Sequence, residues 1–166
     1  MGGRGGIDVL LGLMDEAFRG RGIEESNESQ ALLANLASVD DAAWRSLPPG
    51  ATRTIESIVL HVGSCKVMYD DYAFGAGTLQ WGTPGAEPWG CDGPGPRADV
   101  MEWLGAAHER LAGHVAALGD DADLDTTRMT NWGSGPPDSL DRRLDDHPRC
   151  LPFGRDQSPP QLAGRR

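Results

Sequence analysis

The feature that most restricts the fold is a run of apolar residues spaced three and four apart in the middle of the chain. The run follows a helix-breaking Leu-Pro-Pro-Gly segment at residues 47–50, and Thr52 or Thr54 is suited to cap a helix ending at Gly75. Its members are Ile55, Ile58, Val62, Cys65, Tyr69 and Tyr72. This spacing predicts an amphipathic helix, which has to pack its apolar stripe against other elements.

Two shorter segments before this helix have the same character. Residues 7–18 have apolar side chains three and four apart and end at an Arg-Gly repeat. A second helix is predicted to open near Ser26 or Asn27, and residues 40–46 are expected to add a turn with Trp44 directed inward. The apolar residues of the two helices are Val9, Leu10, Leu13, Met14 and Ala17, then Leu32, Leu33 and Leu36.

Residues 75–99 hold seven glycines and four prolines, too many for a regular element. A loop of this length is uncommon and often functional, and Trp81 and Trp89 are its expected anchors on the body. From Ala98 or Asp99 a further helix is predicted, ending near a solvated turn of aspartates. Its apolar residues are Val100, Leu104, Ala107, Leu111 and Val115.

Three to four amphipathic helices, with no strand pattern and no internal repeat, predict an all-α fold, an antiparallel up-and-down helix bundle. After Gly133 the pattern changes, because residues 134–166 contain six prolines and three glycines and show no apolar periodicity. The last helix of the bundle is therefore expected to be missing or replaced by an irregular tail. A bundle without it exposes an apolar face.

Composition excludes several classes of function. The chain has 25 acidic against 15 basic residues, a net charge of −10, which argues against nucleic acid as a partner. No apolar run approaches the roughly 20 residues that span a bilayer, so no membrane partner and a cytoplasmic location are expected. Three widely spaced cysteines predict neither a disulfide framework nor a CxxC metal knuckle.

His61 and Cys65 are four residues apart in the central helix, so their side chains can meet on one face. The sequence leaves two interpretations of His61 open, a core-edge histidine and a metal ligand directed into the bundle. Cys65 fits either a Cys–His catalytic pair or a small buried thiol. His108 and His114 point about 120° apart on a helix, which predicts solvated or capping roles rather than chelation of one ion.

Several short motifs, in this order and spacing, resemble the DinB-like superfamily of four-helix-bundle proteins over roughly residues 7–133. They are LPPG at 47–50, RTI at 53–55, IVLHVG at 58–63, Tyr69, AFG at 73–75, Trp103-Leu104, His108 and TNWG at 130–133. The resemblance implies a bundle with a divalent metal, zinc or nickel, and often a homodimer. Some relatives are transferases or isomerases that use a low-molecular-weight thiol, mycothiol or bacillithiol.

The usual metal site of these proteins takes one histidine from the second bundle helix and two, spaced i, i+4, from the last. His61 matches the first, which favours its interpretation as a metal ligand. The other two are absent from their expected place after the TNWG turn, where relatives have a helix resembling HDxYHxGEINHL. One imidazole is fewer than the three or four donors that such a metal needs, so binding is expected to be weak or absent.

The tail suggests how those histidines were lost. If residues 148–160 are read one nucleotide later within each codon, suitable codons give HDAYHSGEINHL. We therefore interpret residues 7–133 as an incomplete DinB-like bundle and residues 134–166 as an out-of-frame translation of the last helix.

The sequence supports three hypotheses of function. The first is a DinB-like protein, ancestrally a metal-binding, thiol-dependent transferase, whose metal site is incomplete. The second is a non-catalytic helical module that dimerises or binds a partner through its open face. The third is an acidic small-molecule binder that uses the 75–99 loop as a lid.

The frameshift hypothesis makes a prediction about the codons of the gene. We expect the codons of residues 148–160 to yield a histidine-containing helical peptide when shifted by one nucleotide, because the protein sequence permits it. Sequencing the gene is the measurement. Codons that cannot be shifted into that peptide would end the hypothesis.

Overall fold

The structure, a computed structural model, describes residues 3–20, 31–80, 89 and 93–130. This part of the chain is all helical, and no residue in it belongs to a β-strand, which confirms the predicted all-α class. The antiparallel order expected of neighbouring helices does not hold for the two long ones, Ile55–Phe74 and Arg97–Ala116. They run parallel, because Gly63 meets Trp103 and the later Asp70 meets the later Arg110. None of its helices is long and apolar enough to cross a membrane. The elements are α1 (Gly5–Arg19), α2 (Leu32–Ala37), α3 (Asp41–Arg45), α4 (Ile55–Phe74), α5 (Arg97–Ala116) and a 3₁₀ helix (Asp121–Asp125).

Helix boundaries follow local capping chemistry. The Thr54 hydroxyl accepts a hydrogen bond from the Ser57 amide at 3.1 Å and starts α4, as predicted. The Asp40 carboxylate does the same for α3, where it accepts from the Ala43 amide at 2.7 Å. Helix α2 begins at Leu32, whereas the predicted caps Ser26 and Asn27 lie outside the described residues.

The most extensive contact joins α4 to α5. It depends on Gly63, because a Cβ atom at this position would collide with Cζ3 and Cη2 of the Trp103 ring. The Trp103 indole packs directly on the α4 backbone, and it also meets the expected loop anchor Trp89 in an edge-to-face contact at 5.4 Å between ring centroids. Trp81, the other expected anchor, lies outside the described residues.

Arg97, the first residue of α5, holds α2 and α3 against this pair. Its guanidinium donates to the Leu36 carbonyl at 2.8 Å and lies 5.1 Å from the centre of the Trp44 ring. Trp44 points inward as predicted, 2 % exposed, and its indole N–H donates to Glu56 at 3.0 Å. The buried core cluster consists of Phe18, Leu36, Trp44, Val59, Val100 and Leu104.

The ends of α1 and α5 are fastened to each other. Arg4 donates to the Ala116 carbonyl at 2.9 Å, and the Asp121 carboxylate accepts from the Gly6 and Ile7 amides at 3.0 Å each. Hydrogen bonds from the Gly6 and Ile7 amides lower the pKa of Asp121. The predicted polar turn is therefore present as a 3₁₀ helix, and one of its acids is a helix cap rather than a purely solvated group.

The predicted apolar face of α5 is correct, because Val100, Leu104, Ala107 and Val115 are buried and Leu111 is half-buried. The predicted face of α1 is not the buried one. The helix buries Ile7 and Phe18, whereas the predicted face residues Val9, Leu10 and Leu13 are 64 %, 37 % and 63 % exposed.

The predicted stripe of α4 packs on the core only in part, through Ile55 and Val62. The helix turns Val59, Gly63 and Val67 toward α5, since only the glycine lets the two backbones approach. Ile58 and Tyr69 of the predicted stripe are exposed, and its other members are half-buried. Helices α1 and α4 thus both retain apolar side chains that the described core does not cover.

Gly63→Ala is expected to lower the free energy of unfolding by about 1–3 kcal/mol, because the added methyl forces Trp103 off the α4 backbone. Gly105→Ala in α5 is the matched control. In the part of the chain that the structure describes, nothing outside the α5 backbone lies within 4 Å of a Cβ at that position, so this variant should gain about 0.5–1 kcal/mol from helix propensity. Urea unfolding measures both, and equal effects of the two variants would show that the close contact is not needed.

Candidate functional site

The first candidate site is a strip along the outward side of α4. We define the outer strip as Ile58, His61, Cys65 and Tyr69, each three or four residues after the one before. Within it, the Cys65 Sγ lies 3.8 Å from the His61 Nε2, a distance that allows a sulfur hydrogen bond. The imidazole is exposed and the thiol half-buried, so the sequence-predicted pair does come together on one face.

Tyr69 continues the strip one turn after Cys65. Burial of the phenol raises its pKa, and the neighbouring Cys65, through its charge and a hydrogen bond, raises it further. The phenol therefore stays protonated at neutral pH. The outer strip presents an imidazole, a thiol and a phenol in succession.

A zinc or nickel site needs three or four donors at preorganised positions. The outer strip offers two, the His61 imidazole and the Cys65 thiol. Across residues 3–20, 31–80, 89 and 93–130, no group of three or more His, Cys, Asp or Glu side chains is arranged to hold an ion. The described residues thus do not form a closed site, and the ligand role of His61 stays a prediction. Cys91, His147 and Cys150 lie outside the described residues.

A second cluster lies where α1, α4 and α5 meet, around His108. The expectation that His108 is solvated or capping is wrong, because its side chain is 1 % exposed. Its ring stacks on Phe18 at 3.9 Å between centroids and 7° between planes. The Lys66 ammonium, 3.2 Å from Nδ1, is a hydrogen-bond donor to the ring.

The histidine of this cluster is neutral. Burial, aided by the positive charges of Lys66 and Arg19, lowers the pKa of His108 to about 4. Burial also lowers the pKa of Lys66. Since a neutral imidazole has one nitrogen free to accept, Nδ1 can accept a hydrogen bond from the Lys66 ammonium at neutral pH.

A third cluster surrounds Asp70, which is 3 % exposed. Its carboxylate accepts from the Arg110 Nε at 2.7 Å and contacts the His114 Nδ1. A buried carboxylate without partners is costly. The contacts of Arg110 and His114 with Asp70 offset that cost and so stabilise the C-terminal half of the α4–α5 pair. His114, predicted to be solvated or capping, is about half-exposed, and its Nδ1 contacts the Asp70 carboxylate.

Sequence reasoning missed Lys66 and Asp70 as site residues. Both stand in the predicted central helix, and their partners on α5 are 42 and 40 residues away in the chain. The available signal was chemical. Lys66 and Asp70 follow the buried side of α4, and a charged side chain at a buried position indicates a partner on a neighbouring helix.

Comparison with known proteins identifies the family. A sequence model of the DinB superfamily matches residues 26–144, more than half of the chain. The chain belongs to the DinB superfamily. The match includes α2 to α5, and so the outer strip, the Lys66–His108 pair and the Asp70 cluster of this DinB protein, while α1 with Phe18 precedes it. No curated protein and no solved structure matches the chain.

Proposed function

We propose that this DinB protein descends from metal-binding, thiol-dependent transferases and holds an incomplete metal site, in which His61 is the ligand. The observation that supports the proposal is the outer strip. It presents the His61 imidazole next to the Cys65 thiol on a face of α4 that α5 does not cover. In a helix bundle, a metal site is built from side chains that project from facing helices.

The donor set explains why binding is expected to be weak. Imidazole and thiolate both suit zinc and nickel, and His61 with Cys65 supplies one of each. Two donors from one helix leave half of a tetrahedral shell to water. A low-molecular-weight thiol, the partner class implied by the family resemblance, would be a further sulfur donor rather than a replacement for the missing protein ligands.

Calorimetric titration of the full chain without a His-tag, using ZnCl₂ and NiCl₂, tests this proposal. We expect a Kd no tighter than about 1 µM, which corresponds to a binding free energy of about 8 kcal/mol. Structural zinc sites bind with roughly 10–16 kcal/mol. His61→Ala should abolish the residual binding, and Cys65→Ser should weaken it. His114→Ala is the control, because this imidazole is on Asp70 and not on the outer strip. Near one equivalent of metal bound to the purified protein would contradict the proposal.

The second candidate is a non-catalytic module that dimerises, and it is favoured by the exposure of large apolar side chains. Val9 and Leu13 on α1 are 64 % and 63 % exposed, and Ile58 on α4 is 45 % exposed. Exposed apolar patches on soluble proteins often mark interaction surfaces. The same surface would accept either a second copy or a partner helix.

Sedimentation velocity over a range of protein concentrations tests self-association. The wild type is expected to form a dimer whose fraction rises with concentration, and Leu13→Glu should make it monomeric, because the charge is too costly to bury. Ala106→Glu, at an exposed position of α5, is the matched control and should leave the dimer intact. A wild type that stays monomeric at every concentration would exclude this candidate.

A further inference from the structure

A cavity opens between α1, α2 and α4, and neither His61 nor Cys65 is among its described lining residues. Its volume is about 380 Å³, within the range of small-molecule pockets. Its apolar lining residues are Leu13, Met14, Ala17, Phe18, Leu32 and Val62. An apolar ligand body would bury its surface against these side chains.

Among the described residues of this lining, Lys66 alone carries a charge, and it is the single lysine of the chain. Its position is fixed by two contacts, the hydrogen bond of its Nζ to His108 at 3.2 Å and the Phe18 ring, whose centre is 5.3 Å away. Both partners are buried and stacked on each other. The ammonium is therefore held at the cavity wall by rigid groups.

Neither contact neutralises the charge of Lys66. His108 is neutral because of its lowered pKa, and an aromatic ring has no net charge. In the described part of the chain the carboxylates that form ion pairs do so with arginines and His114, not with Lys66. A half-buried cation beside an apolar cavity, with donors left over, is a binding group for an anion.

We propose that this cavity binds a small monocarboxylate with an apolar tail, whose carboxylate pairs with the Lys66 ammonium and whose tail lies between α1 and α4. The chemistry of the lining selects this class. The six apolar side chains exclude a polyanion such as a sugar phosphate, since its remaining charges would be buried without partners. The single cation favours an acid over the corresponding alcohol or amine.

Isothermal titration calorimetry with decanoate, below its micellar concentration, is the test on the full chain. We expect saturable 1:1 binding, and about tenfold weaker binding of decanol and decylamine, which have the tail without the carboxylate. Lys66→Met should weaken decanoate binding by about tenfold or more while Lys66→Arg retains it, because the arginine keeps the charge. Arg53→Met, an equal loss of charge at an exposed position, is the matched control and should bind as the wild type does.

Ala17→Phe provides a second variant if Lys66→Met does not fold. Ala17 is exposed and lines the cavity, so a phenyl group there fills the cavity and should abolish binding without a change in helicity by circular dichroism. No saturable decanoate binding, equal affinity for decanol, or unchanged affinity of Lys66→Met would each overturn the proposal. His61→Ala should leave decanoate affinity unchanged, so this test and the metal titration can fail independently.

Discussion

The contact between Gly63 and Trp103 sets the register of the whole α4–α5 pair. Because the indole lies on the α4 backbone, each following turn of α4 meets a defined turn of α5. Lys66 comes opposite His108, and Asp70 comes opposite Arg110. A shift of either helix by one turn would separate both pairs and leave two half-buried or buried charges without partners. Packing and polar pairing thus specify the same alignment.

The sequence was sufficient to identify the helices but not to orient all of them. Helix α5 has one apolar stripe, so its periodicity alone indicates the buried side. Helix α4 is different, because apolar residues such as Ile58, Val59 and Val67 occur on several sides of it. Gly63 decides which side of α4 faces α5, because it has no side chain and lets Trp103 approach the backbone. Hydrophobic periodicity gives no weight to a missing side chain, and so it selected a stripe that is only partly buried.

The two candidate sites differ in what made them predictable. His61 and Cys65 are neighbours on one helix, so their spacing in the sequence already brings them together, and the DinB resemblance added the metal interpretation. The Lys66 and His108 pair spans two helices, and Phe18 of a third helix completes it. The spacing within α5 suggested a solvated His108, because spacing within one helix does not show that Phe18 of α1 stacks on this ring.

The position of the single lysine has a practical consequence. Lys66 lies near the middle of α4, where the backbone is held in helical hydrogen bonds on both sides. A lysine-specific protease needs an extended substrate, so it can cut this peptide bond only after the helix locally unwinds. When unwinding and rewinding are fast relative to hydrolysis, the cleavage rate is proportional to the unwound population. One proteolytic cut thus measures the opening free energy of the central helix without any label.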